Sequence, residues 1–215
     1  MDELEVLKKE WQSREQEFPR LSSKEIYPML LRKSSSLVKW IFYISIAELV
    51  LWTSLAFVAP ESSKQINEAM GLKGTLTTVS IIGYVITVFF IILFYKNYRS
   101  IKVTDSIKKL MRNILRTRKT VQYFVYYNIG AAIVLLTYTN IFYYSKKETL
   151  YETFAKYSED YAAIPAETFT DYFFLIQILV GAAFVLLLVL FYYLVYGLLL
   201  RRLKRNYREL KKIEV

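Results

Sequence analysis

Four long apolar runs, roughly Ser36 to Ala59, Lys73 to Tyr95, Val121 to Tyr144 and Tyr172 to Leu200, decide what this chain can become. Each meets or exceeds the about 20 mostly apolar residues that a helix needs to cross a bilayer. Inside hydrocarbon every backbone amide must be satisfied within the protein, and these runs are continuous rather than alternating, so they are expected as helices and not as barrel strands. The chain is predicted to be an all-α, polytopic membrane protein with four transmembrane helices and with amphipathic helices on its cytoplasmic and outer surfaces. Its parts are a cytoplasmic segment over 1–35, a transmembrane domain over 36–200 and a basic cytoplasmic tail over 201–215. The first run follows a mixed-charge stretch and lacks the form of a cleavable signal peptide, so it is expected to be retained.

With 54% of the 215 residues hydrophobic, little is left for a soluble catalytic domain. The chain has no cysteine, which removes disulfides, thiolate metal sites and thiol nucleophiles. It also has no histidine, so the usual zinc, haem and non-haem iron sites and an imidazole base are missing. No enzyme activity, metal or cofactor is expected.

The net charge of +10 is unevenly spread, and Lys and Arg concentrate in short cytoplasmic segments of membrane proteins. The segment before Ser36, the connection over 96–120 and the tail are all rich in Lys and Arg. The connection after the first run and the acidic one over 145–171 are not. Both termini and the 96–120 connection are therefore expected in the cytoplasm. Aromatic residues near the ends of the runs, among them Trp40, Tyr95, Tyr123, Tyr126, Tyr143, Tyr172, Tyr192, Tyr193 and Tyr196, are expected as headgroup-level anchors.

Outside the runs three amphipathic patterns stand out. Leu4, Leu7, Trp11 and Phe18 share one helical stripe that Pro19 should end; with carboxylates flanking Lys8, Lys9 and Arg14, the stripe reads as a docking face for a protein partner. A short second helix is expected after it, started by a Ser22 to Glu25 capping box or by Pro28. After Thr104 as N-cap, Ile107, Leu110, Met111, Ile114 and Leu115 line one face. Lys108, Lys109, Arg112, Arg116, Arg118 and Lys119 occupy the others, a pattern suited to anionic lipid headgroups. No stacking aromatics are interleaved, so nucleic acid is not expected as a partner. On the outer side Leu150, Phe154, Tyr157 and Tyr161 repeat at helical spacing, with Ser145 and Glu148 as a capping pair, and predict a lid that packs on the bundle.

One acid lies deep in a run. Glu48 stands in Ile44-Ser45-Ile46-Ala47-Glu48-Leu49-Val50-Leu51-Trp52, where a charge costs roughly 2.5–3.5 kcal/mol on insertion scales. No Lys or Arg lies at matching depth, so its partners are sought in neutral groups: Tyr84 or Thr87 in the second run, Asn128 or Thr137 in the third. Ser45, Glu48, Trp52 and Ala56 fall on one face that should look into the bundle. A neutral, hydrogen-bonded Glu48 that ties helices together is expected ahead of a proton or cation pathway or a pairing with a basic residue of another subunit. Small residues at Ser80, Gly83 and Thr87, at Gly130 to Ala132 and at Gly181 to Ala183 are expected to allow close helix approach.

Trp11, Ser34-Ser35-Ser36-Leu37-Val38-Lys39-Trp40, Ser45-Ile46-Ala47-Glu48 and Leu110-Met111-Arg112-Asn113-Ile114-Leu115-Arg116-Thr117-Arg118-Lys119-Thr120-Val121 resemble an uncharacterised family of bacterial four-span inner-membrane proteins. Its members sometimes carry the label beta-carotene monooxygenase, which fails here because retinal-forming oxygenases of that type hold iron through histidines. Others resemble products encoded beside alternative sigma factors, which implies an anti-sigma-like membrane regulator. The resulting expectation is a non-enzymatic inner-membrane protein that contacts membrane lipid and binds other proteins, as an accessory subunit or regulator. The alternative is a small proton- or ion-coupled transporter or channel using Glu48.

The charge map makes a direct prediction. In this cysteine-free chain, a single cysteine at Ser158 should react with an impermeant maleimide in intact cells and one at Ser106 should not; the reverse pattern overturns the topology.

Overall fold

In the computed structural model, Glu5 and residues 23–58, 60–101, 106–157 and 159–214 are described, and these are almost entirely helical with no strand among them. The N-terminal stripe of Leu4, Leu7, Trp11 and Phe18, with Pro19 and Ser22, lies outside the described residues, as does Thr104. Helix α1 spans Ser23–Val58, α2 Glu61–Ala69, α3 Lys73–Arg99 and α4 Ile107–Ser145. Then come α5 at Lys147–Tyr157, α6 at Glu159–Ala162, α7 at Ala166–Tyr192, a π turn at Tyr193–Gly197 and α8 at Leu198–Glu214. Four stretches are long and apolar enough to cross a membrane: α1, α3, α4 and the run from α7 into α8.

Two of these helices are far longer than a bilayer requires. The 36 residues of α1 and the 39 of α4 reach roughly 54 and 58 Å at 1.5 Å per residue, against a hydrocarbon core of about 30 Å. The surplus lies at the basic end. There α1 up to Ser36, α4 up to Val121 and α8 continue the spans for about 20 Å each and pack against one another as a three-helix head.

This packing corrects two expectations. The residues from Ser23 to Ser36 are not a helix separate from the first span: α1 runs through, with Pro28 inside its first two turns rather than at its start. Nor does the 107–119 stripe lie on a lipid surface. Leu110 and Ile114 are 0% exposed and join Leu30, Leu31, Leu37, Leu203 and Leu210 in the head's core. Each such side chain contributes about 1.5–3 kcal/mol by burial from water. The N-cap of α4 is Ser106, whose hydroxyl accepts the Lys109 N–H at 3.4 Å, and not Thr104.

Polar pairs set the register of the head. Asn206 donates to the Ser34 hydroxyl at 3.1 Å, both residues fully buried, and so ties α8 to α1. Asn113 donates to the Ser100 carbonyl at 2.9 Å and Asn97 to the Thr120 hydroxyl at 3.2 Å, which fastens the α3–α4 turn.

At the acidic end α2 stops in a left-handed glycine. Gly71 has φ +81°, the Leu72 N–H bonds to the Asn67 carbonyl and the Gly71 N–H to that of Glu68, a Schellman closure with Leu72 fully buried beneath it. The turn presents the Asn67 side chain to Tyr143, whose hydroxyl donates to it at 2.5 Å. Leu150, Phe154 and Tyr161 form the expected lid with Phe169 and Phe173, while the Tyr157 side chain lies outside the described residues. Ser145 does not cap α5: its hydroxyl turns back to the Phe142 carbonyl at 2.8 Å and closes α4 instead.

Ile114→Ala should destabilise the protein by roughly 2–5 kcal/mol in thermal unfolding in detergent, as core truncations do, whereas Leu115→Ala on the exposed side should change little. Equal small effects would mean that the stripe is not packed.

Candidate functional site

The carboxyl of Glu48 is the polar centre of the bundle. Its residue is 4% exposed, and three donors converge on it from two helices. The Trp52 indole N–H, one turn further along α1, reaches Oε1 at 3.4 Å. Across the bundle the Tyr192 hydroxyl donates to the same oxygen and the Tyr196 hydroxyl to Oε2 at 2.9 Å. Neither tyrosine is an anchor at the headgroups, as their place near the end of the last run had suggested. They are 3% and 1% exposed and belong to the core. Tyr143 is likewise turned inward, whereas Trp40, Tyr123, Tyr126 and Tyr172 face outward.

Both phenols reach one carboxyl because residues four apart are neighbours on a helix face. Each four-residue step on a regular α-helix still turns by about 40°, so a longer row such as Leu188, Tyr192 and Tyr196 drifts around the axis. The i→i+5 turn at Tyr193–Gly197 puts an extra residue into the helix where that drift would accumulate. Gly197 faces the Tyr193 ring there, with a Cβ position 3.6 Å from it.

Aromatic edges fill the space behind the phenols. Phe124 stands T-shaped to Phe94, Tyr192 and Tyr196, with centroids 5.5–6.3 Å apart, within the favoured range for ring pairs. On α1 the face predicted to look inward does so at Ser45 and Glu48, half-way at Trp52, and is lost at Ala56, which is exposed.

Beside Glu48 the four spanning helices part around a cavity of about 330 Å³. Tyr84, Thr87 and Asn128, three of the four residues proposed from sequence as partners of Glu48, line it, but none bonds to the carboxyl. Thr87 donates to the Gly83 carbonyl and Asn128 to the Phe124 carbonyl, each at a distance usual for a helix side chain, 2.9 and 2.8 Å. Thr137, the fourth, is exposed on α4 and not part of the lining. The small residues behave differently from expectation. A Cβ placed on Gly83 or Gly130 meets nothing within 4 Å, so neither marks a close helix crossing; Gly181 does, with Leu136 of α4 at 3.8 Å. Among the described residues no three potential metal-binding side chains converge.

The six basic residues of α4 are also sorted by the fold. Arg116, Arg118 and Lys119 sit within about 8 Å of Val121 along the axis, and Lys108 and Lys109 about 20 Å from it. All but the half-buried Arg118 are exposed.

A family match covers residues 24–215, from the second residue of α1 to the end of the chain. The chain belongs to DUF8845, a domain of unknown function. No match is found among curated proteins or among solved structures. The α1, α3, α4 and α7 spans of this DUF8845 protein thus carry a site known so far by its geometry.

Sequence reasoning singled out Glu48 and missed its partners. The available signal was the i, i+4 pair Tyr192 and Tyr196, lying about 12 and 6 Å inside Leu200. A run of 29 residues from Tyr172 to Leu200 exceeds a bilayer's need, so its headgroup boundary could not be placed by length.

Replacing Glu48 by Gln should preserve assembly, since a hydroxyl rotor such as that of Tyr196 can accept from an amide as well as donate to a carboxyl. Glu48→Leu orphans two phenols and an indole and should cost on the order of 1–3 kcal/mol for each group left unsatisfied, read as a lower melting temperature in detergent. A Leu variant as stable as the Gln variant would contradict the tie.

Proposed function

We propose that this protein is a non-enzymatic, multi-pass inner-membrane protein of bacteria whose cytoplasmic head binds other proteins, as an accessory subunit of a membrane complex or as an anti-sigma-like membrane-anchored regulator. The observation that carries this reading is the head itself. Its core closes among α1, α4 and α8 and runs on into that of the apolar bundle, and its surface is basic: Arg32 and Lys33 on α1, Arg112 on α4 and Arg205, Arg208 and Lys212 on α8 are all exposed. Glu209 meets Arg205 at 3.9 Å, a weak exposed pair that leaves the face positive.

Lipid attraction accounts for only part of this charge. Arg116, Arg118 and Lys119 lie within a Debye length of about 8 Å of the expected membrane boundary, where anionic headgroups reach them. Lys108, Lys109 and the end of α8 stand about two such lengths away, where the field of the leaflet is screened. Charge held there on rigid helices suits a protein with an acidic surface. The N-terminal stripe of Leu4, Leu7, Trp11 and Phe18 would add apolar contacts to the same partner.

The competing reading, a proton- or ion-coupled transporter or channel, needs Glu48 to exchange its proton or bind an ion. What supports the binding role instead is that both carboxyl oxygens already accept from Trp52, Tyr192 and Tyr196.

Purification in mild detergent should bring down a second polypeptide. Arg112→Glu with Arg208→Glu should release it, and Leu7→Asp with Trp11→Asp should weaken it, with membrane insertion unchanged. Retention of the same polypeptide by both double variants would remove the docking role. Flux that is lost in Glu48→Gln would move the transporter to the front.

A further inference from the structure

The cavity beside Glu48 does something that neither the tie between helices nor the basic head requires. A bundle held by aromatic packing could close here, yet all four spans stand apart at one depth and leave about 330 Å³, the lower range of small-molecule pockets. Its walls are rings: Trp52 on α1, Tyr84 on α3, Phe124 on α4, Phe184 and Tyr192 on α7. One side is open toward the surroundings of the bundle, since Ser80, Tyr84 and Phe184 are exposed. At mid-span depth those surroundings are lipid, so an occupant arrives from the membrane.

The polar atoms narrow the chemistry of that occupant. Tyr84 has no hydrogen-bond partner among the described residues, and its hydroxyl is free to donate. Asn128 spends one amide N–H on Phe124 and keeps its carbonyl oxygen as an acceptor. Glu48 lines the cavity from α1, held by its three donors. An acyl chain would satisfy none of these groups, and a charged headgroup does not reach this depth. A flat ring with oxygens at its edge does both: its faces pack against aromatic edges and faces, and its oxygens meet a phenol and an amide.

We propose that the cavity is a binding site for a neutral, membrane-dissolved ring compound carrying carbonyl or hydroxyl oxygens, the chemistry of a quinone or quinol. Trp52 and Phe184 stand T-shaped at 6.1 Å as one wall, and Tyr84 and Asn128 supply the polar contacts from α3 and α4. The site is one of binding; electron transfer forms no part of the proposal. It is independent of the head and of what the head binds.

Trp52 is one of three tryptophans, so replacing Trp11 and Trp40 by Phe leaves a single reporter in the wall of the cavity. The full chain, in phosphatidylcholine nanodiscs, is titrated with a decyl-substituted benzoquinone and, separately, with decan-1-ol. The quinone should quench Trp52 saturably and decan-1-ol should neither quench nor compete. Gly83→Leu, which projects a side chain into the cavity from a position with nothing within 4 Å, should abolish saturation. Gly130→Leu, equally unobstructed but outside the lining, should leave it unchanged. Tyr84→Phe, which keeps the ring and the fold, should weaken binding about tenfold through one lost buried hydrogen bond.

Quenching that rises linearly and equally in both glycine variants would be collisional and would overturn the site. Competition by decan-1-ol at equal affinity would show that a chain, not a ring, fills the cavity, and would overturn the ligand class. Unchanged binding in Tyr84→Phe would overturn the polar contact assigned to it.

Discussion

A carboxyl placed half-way along a helix long and apolar enough to cross a membrane has to find its donors within the protein, and everything around it has to be arranged so that they reach it. Here that demand joins the first span to the last. Glu48 on α1 takes hydrogen bonds from Tyr192 and Tyr196 across the bundle, and those phenols face it together from positions four apart, the second of them within a π turn. Phe124 then stands edge-on to both rings and draws α4 into the same cluster. For helices set in lipid the apolar effect contributes little, and polar ties and ring packing of this kind are what would carry their association.

The basic end is built on a different force. Beyond the spans, water makes burial of Leu30, Leu110, Ile114, Leu203 and Leu210 favourable, and α1, α4 and α8 respond by closing a conventional helical core. Three amides at this end, Asn97, Asn113 and Asn206, bond to named neighbours and pin the helices' relative heights. The head is tied to the spans, because α1 and α4 run through from one to the other and α8 follows α7 through the π turn.

This continuity bears on function. Charges on a helix that lies on the membrane would serve the headgroups, whereas charges on a helix that stands up from it are offered to whatever approaches. The amphipathic pattern of residues 107–119 is compatible with either arrangement, since an apolar stripe is satisfied by lipid or by protein. The cavity, in turn, sits where neither the polar tie nor the head's core needs empty space, at the level where the spans are held apart by rings.

The amino-acid sequence by itself determined the number of helices long and apolar enough to cross a membrane, the charge difference between the two ends and the solitary acid at Glu48, because hydropathy and charge are properties of each residue summed along the chain. It also placed Tyr84, Thr87 and Asn128 near that acid, since depth can be counted from the ends of a span. Only the tertiary structure decided that Tyr192 and Tyr196 are the donors, that α1 and α4 run straight through into a head, and that Gly83 and Gly130 face open space while Gly181 meets Leu136. Which face of each helix meets which neighbour depends on rotation about its axis, and in a uniformly apolar span nothing in the residue pattern records that angle.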